Sequence, residues 1–309
     1  PSGAISVVQE GQVWYNSSTK VLKGYGLGAA GGTWASVNNL LAVTKDSAGF
    51  GTTTSALVCG GAGPYTDKVE EYNGTSWSEQ NDLAAPAGYK GGTGTVPVGL
   101  TWGGYGGTYQ TNCEAYDGTS WTATNPILTP GYGRGSAGSG SASALTFGGD
   151  PTPVRANTES FDGTSWTEVN NLNTARNYPG GAGSATAALC QAGNVSPYKQ
   201  TELWDGTSWT SVNSLSVSHG SGPTGSLQGP GGTTSSTLCF GGASNFTGTE
   251  IWDGTSWTAG STLGTGRSST TGAGSGVAAL AIGGSPSGPS QLLTEEYTGV
   301  TAIKTFTAT

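Results

Sequence analysis

Two sets of ionisable residues recur along the chain at near-constant spacing, and any chemistry would have to draw on them. Glu70, Glu114, Glu159, Glu202, Glu250 and Glu295 each stand two residues before an aromatic: Tyr72, Tyr116, Phe161, Trp204, Trp252 and Tyr297. Lys45, Lys90, Arg134, Arg176, His219 and Arg267 open successive stretches rich in small residues, with three of the four arginines at what reads as one repeat position. As chemistry, the bases would form an anion-binding ring around a channel mouth. As structure, each base meets a Glu or backbone carbonyls and ties units together, because a buried charge needs a partner. The structural reading is favoured, since perturbed charges also occur in structural networks.

The remaining inventory excludes more than it offers. Cys59, Cys113, Cys190 and Cys239 form no CxxC, so a zinc site has no support. They read as buried thiols acting as small hydrophobes, with equivalent positions on separate repeats too far apart for a disulfide. No glycine-rich stretch runs into GK[ST], so the glycines do not cradle phosphate. The net charge is −8 with no Lys/Arg cluster, which removes a nucleic-acid footprint. No apolar run is long enough to cross a bilayer. No cofactor and no metal are expected, and an enzyme is not the expected reading. The chain opens PSG without Met or signal peptide, which reads as a piece processed from a longer product.

The elements that must carry these residues are set by six Trp-centred segments. Five read YNGTSWSEQNDL (72–83), YDGTSWTATNPI (116–127), FDGTSWTEVNNL (161–172), WDGTSWTSVNSL (204–215) and WDGTSWTAGSTL (252–263), and the sixth, GTWASVNNL (32–40), is truncated. From Trp77 the steps to Trp121, Trp166, Trp209 and Trp257 are 44, 45, 43 and 48 residues. A period in the forties built from short strands is a propeller signature. Six apolar runs ending in small residues, such as ALVCGG (56–61) and ALTFGG (144–149), supply a second landmark.

The expected blade therefore has a small-residue strand a nearest the axis and an apolar strand b buried on both faces. Glu-x-aromatic is strand c, and the Trp segment is strand d at the rim. Asp-Gly or Asn-Gly reads as a two-residue hairpin turn between c and d. By period-two alternation, Glu, aromatic and Trp project from one face and pack against the next blade. Trp34, Trp77, Trp121, Trp166, Trp209 and Trp257 occupy equivalent positions.

The expected fold is all-β: a six-bladed propeller of four-stranded blades over residues 32–309. It is preceded by an N-terminal hairpin and flexible linker over 1–31. The last copy, EEYTG, lacks a following TSW, so residues 32–40 are expected to close the ring as its outer strand. VTAIKTF (300–306) competes for the same place, and sequence leaves both open. Ten Trp and twelve Tyr supply the buried area that argues against disorder in a chain with 56 Gly.

The order of apolar run, paired glycines, aromatic, Trp and then a base resembles the kelch repeat over about residues 38–299. Its aromatic-to-Trp interval is shorter here. The copper site of the kelch enzyme galactose oxidase uses two His, two Tyr and a Cys, and this chain has one His. GQVWYNSSTKVLKGY (11–25) resembles, over Gly11 to Lys23, a G-x-[LIV]-W-[YF]-N segment of tailed-phage fibre and virion proteins. Kelch arrays rich in Gly, Ser, Thr and Asn are similar to those of marine phage structural proteins. The resemblance implies a non-enzymatic virion protein of a phage tail fibre or appendage, exposed on the particle surface and engaged in host recognition. Its implied partners are other virion proteins and a host-surface glycan or receptor, with no nucleic acid and no membrane insertion; a homo-oligomer is left open. The alternative is a lectin-like carbohydrate-binding module of a bacterial surface or secreted protein. In either case the variable b–c loops are the candidate binding face, with Tyr65, Tyr109, Arg155, Tyr198 and Phe246 available for stacking and hydrogen bonding.

Overall fold

The structure, a computed structural model, describes residues 13–16, 21–42, 44–150, 153–219, 225–226, 232–285 and 292–306. Parts of the N-terminal hairpin (Gly11, Gln12, 17–20) and of the loops at 150–158 and 285–291 lie outside these residues. The described chain is all-β apart from one 3-10 turn at Val96–Val98.

Six antiparallel sheets form a ring. Blade 1 runs Ala48–Thr52, Ser55–Gly61, Thr66–Tyr72, Trp77–Glu79. Blade 2 runs Gly91–Thr93, Gly99–Trp102, Cys113–Tyr116, Trp121–Thr124. Blade 3 runs Gly135–Gly140, Ser143–Phe147, Thr158–Phe161, Trp166–Val169. Blade 4 runs Gly180–Ser184, Ala187–Gln191, Thr201–Trp204, Trp209–Val212. Blade 5 runs Gly225–Ser226, Thr237–Phe240, Thr249–Trp252, Trp257–Ala259. Each innermost strand touches the innermost strands of both neighbours, and the circle closes between blades 6 and 1.

Blade 6 joins the two ends of the chain. Its strands are Thr271–Gly274, Ala278–Ile282 and Thr294–Phe306, and its fourth is the N-terminal Val21–Val37. Trp34 faces Tyr297, as Trp77 faces Tyr72 in blade 1. The two segments expected to compete for the closing place do not compete. Residues 300–306 continue strand c past the blade and pair with residues 22–28, while 33–37 supply strand d. Residues 27–32, read from sequence as a flexible linker, lie inside this strand, with a register slip between Gly28 and Thr33. Val13–Asn16 adds a fifth strand outside it, Val13 facing Gly24 and Asn16 facing Val21.

Side-chain size explains the order of strands within each blade. Blades converge at the axis, where a Cβ on Gly181 would strike the Ser136 backbone of the neighbouring blade. Strand b lies between two sheets and is buried throughout, from Ala56 to Cys59 in blade 1 and from Ala144 to Phe147 in blade 3. The c–d turn differs from the expected Asp-Gly hairpin by one position. Asp117 N–H donates to Ser120 O, so Gly118 and Thr119 are the two central residues. Gly118 has φ +96, at the position a type II′ turn reserves for glycine. The Asp117 carboxylate caps the turn, accepting from Thr119 and Ser120 N–H at 2.8 Å each. The turns at Asp162, Asp205 and Asp253 repeat the arrangement.

The aromatic face packs on the preceding blade, not the next one. Trp166 of blade 3 meets Trp102 of blade 2, Trp209 meets Phe147, and Trp34 meets Phe240, with ring centroids 4.9–5.1 Å apart. Alternation fixes which side chains share a face, but the twist and handedness of the ring decide which neighbour they meet. Clasps at the rim run the other way. Asn38, Asn81, Asn125, Asn170 and Asn213 each donate to the Thr carbonyl of the following blade's c–d turn.

Candidate functional site

The registers place the b–c loops and the d–a connections at one end of the ring, where the charged residues also lie. Every one of the six glutamates is spent on the d–a connection that enters its own blade. Glu70 accepts from Leu41 and Ala42 N–H, Glu114 from Ala84, and Glu159 from Leu128 and Thr129. Glu202, Glu250 and Glu295 do the same with residues 173–174, 216–217 and 264–265.

In four blades the carboxylate also holds a buried base: Arg134 with Glu159, Arg176 with Glu202, His219 with Glu250 and Arg267 with Glu295. Lys90 is buried and gives its ammonium to Gly103 O at 3.1 Å, and Lys45 is half-buried. Burial alone would push the His219 imidazole down. Contacts with Cys239, Glu250 and the Gly241 carbonyl outweigh it and raise the group to about 10, so His219 is a cation like its arginine counterparts. None of these four bases is available to an external anion.

The arginines do not share one repeat position. Aligned by strand a, Arg134 stands one residue before Gly135, while Arg176 and Arg267 stand four before Gly180 and Thr271. A long side chain reaches the same carboxylate from either place.

Around the axis at this end runs a hoop of backbone hydrogen bonds, one residue per blade. Asp46 N–H donates to Ser269 O (3.1 Å), Tyr89 to Asp46 O (2.5 Å), Gly133 to Tyr89 O (3.1 Å) and Tyr178 to Gly133 O (2.7 Å). All five residues have φ between +54 and +60. This left-handed conformation is uncommon for non-glycine residues and clusters at functional sites. The corresponding part of blade 5, residues 220–224, lies outside the described residues.

On this hoop sits a bowl of about 300 Å³ lined by Tyr65, Tyr89, Tyr105, Tyr109, Tyr132 and Tyr178. The b–c loops of blades 1 and 2 contribute Tyr65, Tyr105 and Tyr109. The connections entering blades 2, 3 and 4 contribute Tyr89, Tyr132 and Tyr178. Tyr132 is the hub, in ring contact with Tyr89, Tyr105, Tyr109 and Tyr178 at 5.3–5.9 Å and stacked on Tyr109 with an interplanar angle of 9°. Tyr178 covers the space above Gly133, where a Cβ would come within 2.7 Å of its ring. Tyr65 and Tyr109 form the outer lip at 40% and 45% exposure.

Two carboxylates stand behind the phenols. Tyr132 Oη donates to Asp150 Oδ2 at 2.8 Å. Asp46 is buried, and desolvation lifts it to about 6 against the hydroxyls of Ser269 and Tyr89 and the Lys45 charge. Burial pushes the phenols of Tyr89, Tyr132 and Tyr178 up, so they stay protonated.

Of the five loop residues singled out from sequence, the structure brings Tyr65 and Tyr109 into the bowl. Arg155 lies in the blade 3 loop, its backbone bridging Gly149 O and Arg176 N–H. Tyr198 sits in the blade 4 loop with φ +61, and Phe246 packs edge-on against His219 at 5.2 Å. Tyr89, Tyr105, Tyr132 and Tyr178 were passed over in the sequence. A signal was present in GYK (88–90), GYGR (131–134) and RNY (176–178), where Tyr accompanies the base in three consecutive connections.

The six rim tryptophans stand at equivalent strand-d starts, each against the aromatic of its own strand c, at 4.9–5.4 Å. All four cysteines are free and buried, and burial pushes the Cys59 and Cys190 thiols up to about 12.

No family model matches the chain, and no curated protein matches it. Among solved structures it is similar to one described as "Structure of YjhT", at 11% identity and a TM-score of 0.64, over 86% of this chain and 99% of that one. At that identity the likeness shows the propeller fold alone.

Proposed function

We propose that this chain is a non-enzymatic, kelch-like recognition propeller of a tailed-phage virion, carried on a tail fibre or appendage, that binds a host-surface glycan through the tyrosine bowl. The observation behind the binding role is the convergence of six tyrosines from four blades on one cavity of about 300 Å³. That volume suits a sugar unit, and phenols offer both a stacking face and a hydrogen-bonding edge.

The non-enzymatic part is supported by how the periodic charges are used. Four of the bases and all six glutamates are committed to holding the d–a connections. The phage part is supported by the resemblance over Gly11 to Lys23 and by the Gly/Ser/Thr/Asn-rich repeats. Other virion proteins are then the structural partners and the particle surface the location. A lectin-like module of a bacterial surface protein would use the same bowl, and the neighbouring coding sequence separates the two: a tail-attachment region favours the phage protein.

The binding role is tested on a glycan array and on whole bacterial cells, with wild type, Tyr65→Ala/Tyr109→Ala and Tyr198→Ala. Loss of binding by the double variant alone, with all three melting alike, is expected. Equal binding by all three would remove the bowl from the account.

A further inference from the structure

Blade 1 departs from the other five: among its described residues no base is buried beside the glutamate. Counted back from strand a, Thr44 stands four residues before Ala48, the place of Arg176 and Arg267 in blades 4 and 6. Ser47 stands one residue before it, the place of Lys90 and Arg134 in blades 2 and 3. Lys45 falls between the two places, with its Cε beside Gly63 in the b–c loop. Lys68 is turned to the surface, where Glu79 and Asp82 hold its ammonium at 2.8 and 2.9 Å.

Blades 4 and 6 show what the place is built to hold. Arg267 gives Nη1 to Gly283 O and Leu293 O at 2.9 and 2.8 Å and Nη2 to Glu295 at 2.9 Å. Arg176 uses Ala192 O, Gln200 O and Glu202 in the same way. Register gives the blade 1 counterparts, because Val58 faces Glu70 as Ala281 faces Glu295 and Cys190 faces Glu202. The matching acceptors are Gly60 O, Lys68 O and the Glu70 carboxylate. Gly60, Lys68 and Glu70, with Val58 and Thr44, line a cavity of about 200 Å³. Its outer side is formed by the exposed Ala42 and Pro64, so it opens to solvent.

The acceptors keep capacity for a donor. Glu70 is 6% exposed, and its two oxygens take one amide each, from Leu41 and Ala42. Thr44 Oγ1 donates to Gly60 O at 3.2 Å, which leaves that carbonyl a second lone pair. Desolvation pushes the Glu70 carboxyl up, and the two amides offset it only in part. At Glu250 desolvation acts in the same direction, but His219 and Ser216 outweigh it and hold the carboxyl down. A buried carboxylate is stabilised by a cation that also satisfies its lone pairs.

We propose that the blade 1 cavity is a binding site for a guanidinium group carried by a ligand, seated against Glu70, Gly60 O and Lys68 O as the Arg267 guanidinium is seated in blade 6. The site is separate from the tyrosine bowl and does not depend on the glycan reading. A guanidinium is planar and presents its donors in a fixed fork, which is the geometry these three acceptors meet in blades 4 and 6. The group comes either from an arginine side chain of a partner protein or from a free small guanidine.

The test is titration of the full chain with Nα-acetylarginine methylamide and with its neutral isostere, Nα-acetylcitrulline methylamide, followed by the ¹⁵N shifts of the Leu41 and Ala42 amides. Wild type should bind the arginine compound saturably, move both amides, and take the citrulline compound at least about ten-fold more weakly, the scale of one hydrogen bond to a charged group. Thr44→Arg places the blade 6 residue in blade 1, fills the cavity from within and should abolish binding. Glu70→Gln should weaken it by a similar ten-fold or more, and the comparison of the two compounds on wild type stands if either variant fails to fold. Methylguanidinium and the peptide Gly-Gly-Arg-Gly-Gly separate the sources: tighter binding of the peptide assigns the group to a partner's arginine, and equal binding assigns it to a free guanidine. No saturable binding of the arginine compound by natively melting wild type would overturn the proposal. Equal affinity for the citrulline compound, or affinity unchanged in a folded Thr44→Arg variant, would also overturn it.

Discussion

The rim and the axial mouth of this propeller are built from the same six repeats, yet one is nearly uniform and the other is not. At the rim each Trp lies on its own blade's aromatic, and three of them donate the indole N–H to a Thr at the start of the preceding blade's strand c. Trp209 uses Thr158, Trp257 uses Thr201 and Trp34 uses Thr249, all at 3.0 Å. At the mouth the five described hoop positions hold four different residue types, Asp46, Tyr89, Gly133, Tyr178 and Ser269. The backbone does the same thing in each of the five blades described there, while the side chains face a shared space that makes no repeated demand. Uniformity marks where blades hold each other, and divergence marks where the ring is free to meet something else.

If the repeated charges serve only cohesion, breaking one should damage the fold more than anything done at the mouth. Glu159→Ala leaves Arg134 buried without its carboxylate and frees the Leu128 and Thr129 amides. It should cost about 3–5 kcal/mol, read as a lowered denaturation midpoint at unchanged slope. An effect within experimental error would mean that the ion pair is not part of what holds the blades.

A smaller effect should come from Asp46, where the mouth meets the fold. Its carboxyl is raised from 3.8 to about 6, so the folded state holds the proton more tightly than the unfolded one. Its favourable contribution is fully present below about pH 3.8 and is lost as pH rises through 6. Between pH 4 and pH 7, wild type should lose about 2–3 kcal/mol relative to Asp46→Asn, measured by urea unfolding across that range. Asn tolerates the left-handed backbone at this position. A difference that stays flat with pH would show that Asp46 is not desolvated.

The smallest effect sharpens the comparison at the rim. Blade 1 carries Val69 where blades 3, 4 and 5 carry the accepting Thr, and the indole N–H of Trp121 is buried without a partner. In blade 2 the position holds Cys113, and the indole N–H of Trp166 is likewise buried without a partner. Val69→Thr should supply the missing acceptor and raise stability by about 1 kcal/mol. A loss instead would mean that the rim clasp depends on packing and not on the indole hydrogen bond.

The same contrast explains what the sequence made legible. Blade number, strand order and the roles of Trp and Glu could be read because each blade contact imposes the same requirement at the same spacing. The c–d turn was misplaced by one residue because Asp-Gly is itself a strong turn pair. Only the Asp117 carboxylate capping Thr119 and Ser120 moves its centre to Gly118 and Thr119. The closing blade was ambiguous because two segments each satisfied strand periodicity, and pairing one with the other was a third option that periodicity alone does not suggest. The bowl was least legible. Tyr65 and Tyr178 lie far apart in sequence and in different kinds of connection, and only the ring brings them to one cavity.

The central claim is that the mouth binds and the rim holds. It is tested most directly by tyrosine-selective ¹³C labelling and titration with methyl glycosides of the sugars selected on the array. The account predicts shifts confined to Tyr65, Tyr89, Tyr105, Tyr109, Tyr132 and Tyr178, with the rim rings of Tyr72, Tyr116 and Tyr297 unmoved. Saturable binding that shifts Tyr198 or the rim tyrosines while the six bowl rings stay unchanged would contradict it.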